Sequence, residues 1–204
     1  MKKQEINLLE FETKLKNEGY NLIAGADEVG RGPLAGPVVC CCCIMPLDNI
    51  IDGVWDSKKL SAKKRDELFD KIKEKAISYS IEFVDENVID EINILNATKL
   101  CMSKAINNLK VTPDIVLVDA LDSLDVKVKL MPIIHGDALS YQIGCASILA
   151  KVTRDRFMCE MAKKYPSYQF EKHKGYGTKA HIDALKTFGS CPIHRKTFIK
   201  HFVD

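Results

Sequence analysis

Asn21-Leu22-Ile23-Ala24-Gly25-Ala26-Asp27-Glu28-Val29-Gly30-Arg31-Gly32-Pro33, continuing through Leu34-Ala35-Gly36-Pro37 into Val38-Val39-Cys40-Cys41-Cys42-Cys43-Ile44, is the stretch whose reading decides the fold. Residues 21–26 read as a short buried strand, Gly30-Arg31-Gly32-Pro33 breaks it, and residues 38–44 form a second strand. A loop this short makes the two strands antiparallel neighbours. Asp27 and Glu28 follow the first strand directly, so two carboxylates stand at its end.

Upstream, Ile6, Leu8, Leu9, Phe11 and Leu15 recur among charges, which predicts a helix over residues 5–18 that stops near Gly19. Downstream, Ser61 opens a helix to about Ala76, with Leu60, Leu68, Phe69 and Ile72 as its buried stripe. Residues 78–84 alternate polar and apolar and make a third strand. Asn96 to Leu109 reads as helix. Ile115-Val116-Leu117-Val118 is a continuous apolar run, the mark of a central strand buried on both faces. Residues 126–130 alternate and are expected beside it. Residues 141–164 form the longest helix, followed by a polar, glycine-rich loop and short helices near 178–187 and 195–201. The fold class is therefore α/β, a mixed sheet flanked by helices with a helical tail. One domain spans residues 1–204, with a core at about 20–165 and a C-terminal helical segment at about 166–204.

The chain has 204 residues, long enough to bury a core without disulfides or a structural metal. It is 46% apolar and 28% charged, with a net charge of only +2, so composition excludes disorder and gives no global basic signal for nucleic acid. Any polyanion contact must come from local clusters of Lys and Arg. No apolar run is long enough to span a membrane, and the charged start lacks a signal core, so a cytoplasmic protein is expected; with no obvious dimer patch to be read, a monomer is the default.

Of eight cysteines, four are consecutive, Cys40 to Cys43. Neighbours in a strand point to opposite faces, so this run cannot converge on one zinc ion. Reduced, buried small hydrophobes are the expectation.

Asp119 directly follows the central strand, and Asp137 precedes the long helix. Strand ends are where α/β proteins place their chemistry. Acids gathered there repel one another unless a divalent cation neutralises them, and oxygen ligands without His or Cys select Mg²⁺ or Mn²⁺. Each acid taken singly also reads as a turn residue, and Asp137 as a helix cap. In an ideal strand Asp27 and Glu28 face opposite ways, so a shared site requires the strand to end or kink near Gly30 and Gly32. The residues by themselves define a candidate acidic metal site.

Gly25 to Gly30 has P-loop spacing, but Arg31-Gly32 stands where Lys-Ser/Thr is required. A dinucleotide fingerprint fails on spacing and on Pro33 and Pro37. Glycines flanking an arginine instead suit close backbone approach to a minor groove, where the 2′-hydroxyl distinguishes RNA from DNA. A plain tight turn remains the alternative for the loop alone.

Residues 23–39, IAGADEVGRGPLAGPVV, resemble the opening of bacterial ribonuclease HII. So do Asp56-Ser57-Lys58-Lys59-Leu60-Ser61, Val118-Asp119, Gly136-Asp137, residues 146–156, residues 172–179 and Pro192-Ile193-His194-Arg195, in order along nearly the whole chain. The resemblance implies a ribonuclease H-like fold and a site in which Asp27, Glu28, Asp119 and Asp137 hold two Mn²⁺ or Mg²⁺ ions. It implies junction reading by Gly30, Arg31 and Gly32, and packing of Tyr176 on the sugar at the RNA–DNA step. It further implies phosphate contacts by Lys58, Lys59, Lys172, Lys174 and Lys179, which position a duplex without reading its sequence. The expected activity is hydrolysis of the RNA strand of RNA–DNA hybrids and cutting 5′ of ribonucleotides embedded in duplex DNA. Two-metal-ion chemistry would leave 3′-hydroxyl and 5′-phosphate ends. Rival classes are a non-catalytic nucleic-acid binder and another two-metal phosphotransfer enzyme. The chain departs from the family pattern at Ala120, usually Gly, at Cys145, usually a small alanine-like slot, and at the lead-in Tyr141-Gln142-Ile143-Gly144.

Overall fold

Apolar density in five short runs builds one sheet in the computed structural model, which describes residues 7–54, 60–121 and 123–203. The strands are β1 (Ile23–Val29), β2 (Val38–Ile44), β3 (Ser78–Val84), β4 (Ile115–Asp119) and β5 (Lys129–Ile133). Their order is β3-β2-β1-β4-β5. The β1–β2 and β2–β3 pairs are antiparallel, and the β1–β4 and β4–β5 pairs are parallel, so the sheet is mixed as expected. β2 is buried throughout, while β3 and β5 are partly exposed edges.

The cysteine run follows the pleat. Cys40 and Cys42 pack with Ile89, Cys101 and Met102 on one face, and Cys41 and Cys43 with Leu68, Ile72 and Leu149 on the other. All eight cysteines are free thiols. Burial pushes the Cys43 thiol up to about 12, and the thiols of Cys40, Cys41 and Cys42 well above the usual range, so the run is protonated and unreactive.

The helices are α1 (Glu10–Asn17), α2 (Ala62–Lys75), α3 (Glu86–Asn107), α4 (Gly136–Leu139), α5 (Tyr141–Lys164), α6 (Phe170–His173), α7 (Lys179–Phe188) and α8 (Lys196–Val203). Ser61, Asp85, Ser140 and Thr178 cap four of them by accepting from backbone N–H groups three residues on. α5 lies directly on β1, where a Cβ at Gly25 would stand 2.1 Å from the backbone carbon of Gln142. The lead-in of α5 now has a physical reason. The Tyr141 hydroxyl accepts from Ile51 N–H at 2.9 Å, and the Gln142 amide exchanges two 2.8 Å hydrogen bonds with the Met45 backbone. Gly144 lets Val54 approach, since a Cβ there would meet its Cγ1 at 3.3 Å. Glu12 of α1 accepts from the Ser140 hydroxyl at 2.6 Å and from Gln142 N–H at 3.1 Å, which ties the chain start to the start of α5.

Four boundaries differ from the sequence reading, the first at α1, where Leu8 and Leu9 form a turn and the helix starts at Glu10. β1 runs on through Val29, so Asp27 and Glu28 lie inside the strand rather than after it. β5 lies at 129–133, not 126–130: Leu130 pairs with Val116, whereas Val126 and Val128 pack against the core from the loop that approaches the strand. Pro132 sits in β5 without cost because an edge strand needs no donor there. α3 begins ten residues before Asn96, at Glu86, and bends at Asn93, whose φ of 67° breaks the helix while its side chain caps the second half through Asn96 N–H.

Ala120 adopts φ 48°, the left-handed region that favours glycine. Ala120→Gly removes that strain but adds unfolded-chain entropy, so a net gain of about 0.5 kcal/mol is expected. A urea midpoint lower than that of the unmodified chain would contradict this.

Candidate active site

The site arises where the central ladder opens. β1 and β4 pair from Ile23↔Ile115 to Ala26↔Val118 and no further. Beyond that point β1 keeps only β2, and β4 keeps only β5. The parallel register leaves Asp27 level with Asp119 across the opening. Asp137 joins them from the first turn of α4. Gly136 N–H donates to Asp119 Oδ1 at 2.8 Å, and a Cβ at Gly136 would stand 2.5 Å from Ile143 Cδ1, so a larger residue there would need that side chain to move. Carboxylate oxygens of Asp27, Asp119 and Asp137 all lie within 4.8 Å of one another. Glu28 is not in that triplet, yet it lines the same cavity of about 240 Å³ together with Asp27 and Asp119. The strand therefore does not have to end for neighbouring acids to share a site, since the cavity reaches both.

Burial pushes the Asp27 carboxyl well above the usual range. The charges of Glu28 and Asp119 push it further, against hydrogen bonds from the Ser147 hydroxyl and from Glu28 N–H at 2.7 Å. Burial also raises Glu28; Arg31, 3.6 Å away, offsets part of this, and Asp119 adds to it. Glu28 Oε2 is buried with no hydrogen-bond partner among the described residues. An oxygen-only donor set that repels itself, with one orphaned carboxylate oxygen, fits a hard divalent cation of the Mg²⁺ or Mn²⁺ type.

The same cavity is lined by Gly30, Arg31, Gly32 and Tyr176. Tyr176 is 42% exposed, and a Cβ at Gly32 would meet its ring edge at 3.9 Å. Two fully buried arginines brace this wall from behind. Arg195 donates to the carbonyls of Gly30, Arg31 and Gly36 at 2.6–2.9 Å, and Arg154 to those of Ala35, Pro37 and Lys174 at 2.9–3.0 Å. Burial lowers both guanidinium groups below their usual range, but the carbonyl dipoles keep them charged.

Of the other substrate contacts named from sequence, Lys58 and Lys59 lie outside the described residues. Lys172 bonds Gln169, Lys179 pairs with Asp183, and Lys174 bonds Cys159 and the Glu171 carbonyl. None of these three lines the acidic cavity. Ser147 and Lys151 do line it, and the sequence reading had given neither a role. Their signal was available: two polar residues four apart on a helix buried almost all round share one face.

Three histidines stand behind Tyr176. Cys191 N–H donates to His194 Nδ1 at 2.9 Å, and His194 Nε2 meets His181 Nε2 at 3.0 Å. His181 Nδ1 meets the Tyr176 carbonyl at 3.0 Å, and the His173 ring stacks on His181 at 4.5 Å. Burial lowers all three imidazoles, His194 to about 4. An unfolded imidazole takes a proton below about 6.5 while the folded one resists, so the contribution is whole above 6.5 and is lost as pH falls toward 4. His194 alone accounts for about 2 kcal/mol of lost stability at pH 5. Urea midpoints at pH 7.5 and 5 should therefore differ less in His194→Gln than in the unmodified chain; equal differences would contradict the burial argument.

A mixed sheet with acids clustered at the diverging ends of its two central parallel strands, crossed by one long helix, is a ribonuclease H-like architecture. The ribonuclease HII family model matches residues 24–201. The chain is 55% identical to ribonuclease HII of Caldicellulosiruptor bescii, covering 98% of each chain. It is also 55% identical to that of Ruminiclostridium cellulolyticum, over 97% of this chain and 77% of the other. The structure resembles ribonuclease H2 of Pyrococcus horikoshii with a TM-score of 0.76 at 28% identity, covering 90% of this chain and 97% of that one. It also resembles the Archaeoglobus fulgidus ribonuclease HII solved in complex with PCNA, with a TM-score of 0.73 at 25% identity, covering 88% and 94%. This chain belongs to the ribonuclease HII family. It is a ribonuclease H hydrolase, and family membership implies endonuclease action on the RNA of RNA–DNA hybrids. Among the described residues no helix is long and apolar enough to cross a membrane.

Proposed function

We propose that the chain cuts on the 5′ side of ribonucleotides embedded in duplex DNA, besides hydrolysing the RNA strand of hybrids, and leaves 3′-hydroxyl and 5′-phosphate ends. The observation that carries this reading is the meeting, in one cavity, of clustered carboxylates with the Gly30–Gly32 loop and Tyr176. Asp27, Glu28, Asp119 and Asp137 hold two divalent cations, Mg²⁺ or Mn²⁺. When bound, these ions supply an activated water and neutralise charge on the scissile phosphate and the departing 3′-oxygen.

The chain's own residues do the placing. Ser147 and Glu28 N–H orient Asp27, and Gly136 N–H orients Asp119. Lys151, paired with Asp155 at 2.8 Å, puts positive charge at the cavity wall, where a phosphate arrives. Gly30 and Gly32 keep Cβ atoms off the loop, so its backbone reaches the minor groove and the 2′-hydroxyl, while Tyr176 packs on the sugar. Arg31 shares this recognition. Lys58, Lys59, Lys172, Lys174 and Lys179 contact phosphates along the duplex. Among the described residues no histidine lines the cavity, and the proposed reaction needs no tuned general base. The protein acts as a cytoplasmic monomer, its residues 1–204 forming one domain.

A gel assay tests this on duplex DNA carrying one ribonucleotide, with Mg²⁺, Mn²⁺ and chelator arms. Metal-dependent cutting just 5′ of the ribonucleotide, absent on all-DNA duplex, is expected. Intact substrate in both metal arms, from folded protein, would sink the reading.

A further inference from the structure

The dipeptide His194-Arg195 reaches both walls of the cavity. Arg195 takes the carbonyls of Gly30 and Arg31 on one side. His194 reaches Tyr176 on the other, through His181. The bond chain has one consistent proton arrangement. Cys191 N–H can only donate, so His194 Nδ1 accepts it; the Cys191 carbonyl, 3.2 Å from the same nitrogen, already accepts from His194 N–H. The His194 proton is then on Nε2 and is donated to His181 Nε2. The His181 proton is on Nδ1 and is donated to the Tyr176 carbonyl. His173 is set independently, accepting from Gly175 N–H at Nδ1 and donating to the Tyr168 carbonyl from Nε2. Two buried neutral imidazoles thus transmit the position of one backbone segment to the peptide that carries Tyr176. The walls are also stitched directly, by Leu34 N–H to the Gly175 carbonyl at 2.8 Å and by Arg195 N–H to the Leu34 carbonyl at 2.9 Å.

We propose that His181 and His194 are positioning residues that hold Tyr176 at its spacing from the Gly30–Gly32 loop, and that this spacing sets the preference for a single ribonucleotide in DNA over a uniform hybrid. The proposal rests on the function proposed above, in which Tyr176 packs on the sugar at the junction. A uniform hybrid has no RNA–DNA step along its cut strand, so loss of the spacing affects it less.

The test compares kcat/KM on a duplex with one ribonucleotide and on a uniform hybrid of equal length, both with Mn²⁺, for His194→Ala, His194→Gln, His181→Phe, Tyr176→Ala and the double variant His194→Ala/Tyr176→Ala. The ratio of the two substrates cancels changes in metal binding. His194→Ala and His181→Phe should lower the ratio about tenfold. His194→Gln, which can still accept from Cys191 and donate to His181, should recover most of it. The double variant should be no worse than Tyr176→Ala, because both changes act through one contact. His181→Phe keeps an aromatic ring in place without its nitrogens and carries the test if circular dichroism shows His194→Ala unfolded. Equal losses on both substrates, or additive losses in the double variant, overturn the proposal. Failure of the unmodified chain to cut the single-ribonucleotide duplex would instead bring down the functional reading, and the proposal with it.

Discussion

Asp119→Asn is expected to lower turnover by about 10³-fold while leaving duplex binding within a few-fold of the unmodified chain. The substitution is isosteric, and the amide oxygen still accepts from Gly136 N–H, so α4 and Asp137 stay in place. What is lost is a negative charge at the centre of the cluster, where Asp27 and Asp137 oxygens lie within 4.8 Å. Ions held by fewer charges bind more weakly and sit less squarely on the phosphate. In the proposed reading duplex affinity comes from cationic and backbone contacts elsewhere, so it should survive. Single-turnover cleavage and fluorescence anisotropy on the same duplex separate the two quantities. Turnover near that of the unmodified chain would remove Asp119 from the site.

The second large effect falls on stability. Gly25→Ala should cost about 3 kcal/mol or more, read as a drop in the urea midpoint with the slope unchanged. The added methyl would stand 2.1 Å from the Gln142 backbone carbon and 2.3 Å from Ile143 N, and neither can rotate away. Either α5 lifts off β1 or the strand shifts. Both movements disturb the layer of Cys145, Ala146, Ile148 and Leu149 that α5 buries against the sheet. Because Ser147 lies on the same helix, cleavage should fall together with stability. An unchanged midpoint would show that α5 does not press on β1 at this point.

Much of the arrangement was legible in the chain. The strands at 38–44 and 78–84 stand where their runs of apolar and alternating residues put them, and α5 occupies 141–164, where the longest helix was read. The cysteine run splits between two core faces because strand side chains alternate, a purely local rule. The four acids were identifiable from their places around strands and a helix start. Where local pattern failed, a tertiary partner had intervened. β5 slid three residues because its pairing with β4, Ile115↔Lys129 onward, outweighed alternation. β1 continued through Asp27 and Glu28 because β2 pairs with it as far as Val29↔Val39. The first half of α3 escaped notice because Asn93 interrupts its periodicity.

By itself, then, the sequence determined the element order, the mixed α/β class, the pool of carboxylates and the family, because these follow from patterns local to a few residues. Only the tertiary structure decided that the β1–β4 ladder parts after Ala26 and Val118, which brings Asp27, Asp119 and Asp137 together and leaves room for Glu28. Only it showed that Arg195 and Arg154 brace the loop, that a histidine pair reaches Tyr176, and that Ser147 and Lys151 face the cavity while Lys172, Lys174 and Lys179 do not. These contacts join residues as far apart as Gly30 and Arg195, and no rule of spacing along a chain carries the distance between its folded parts.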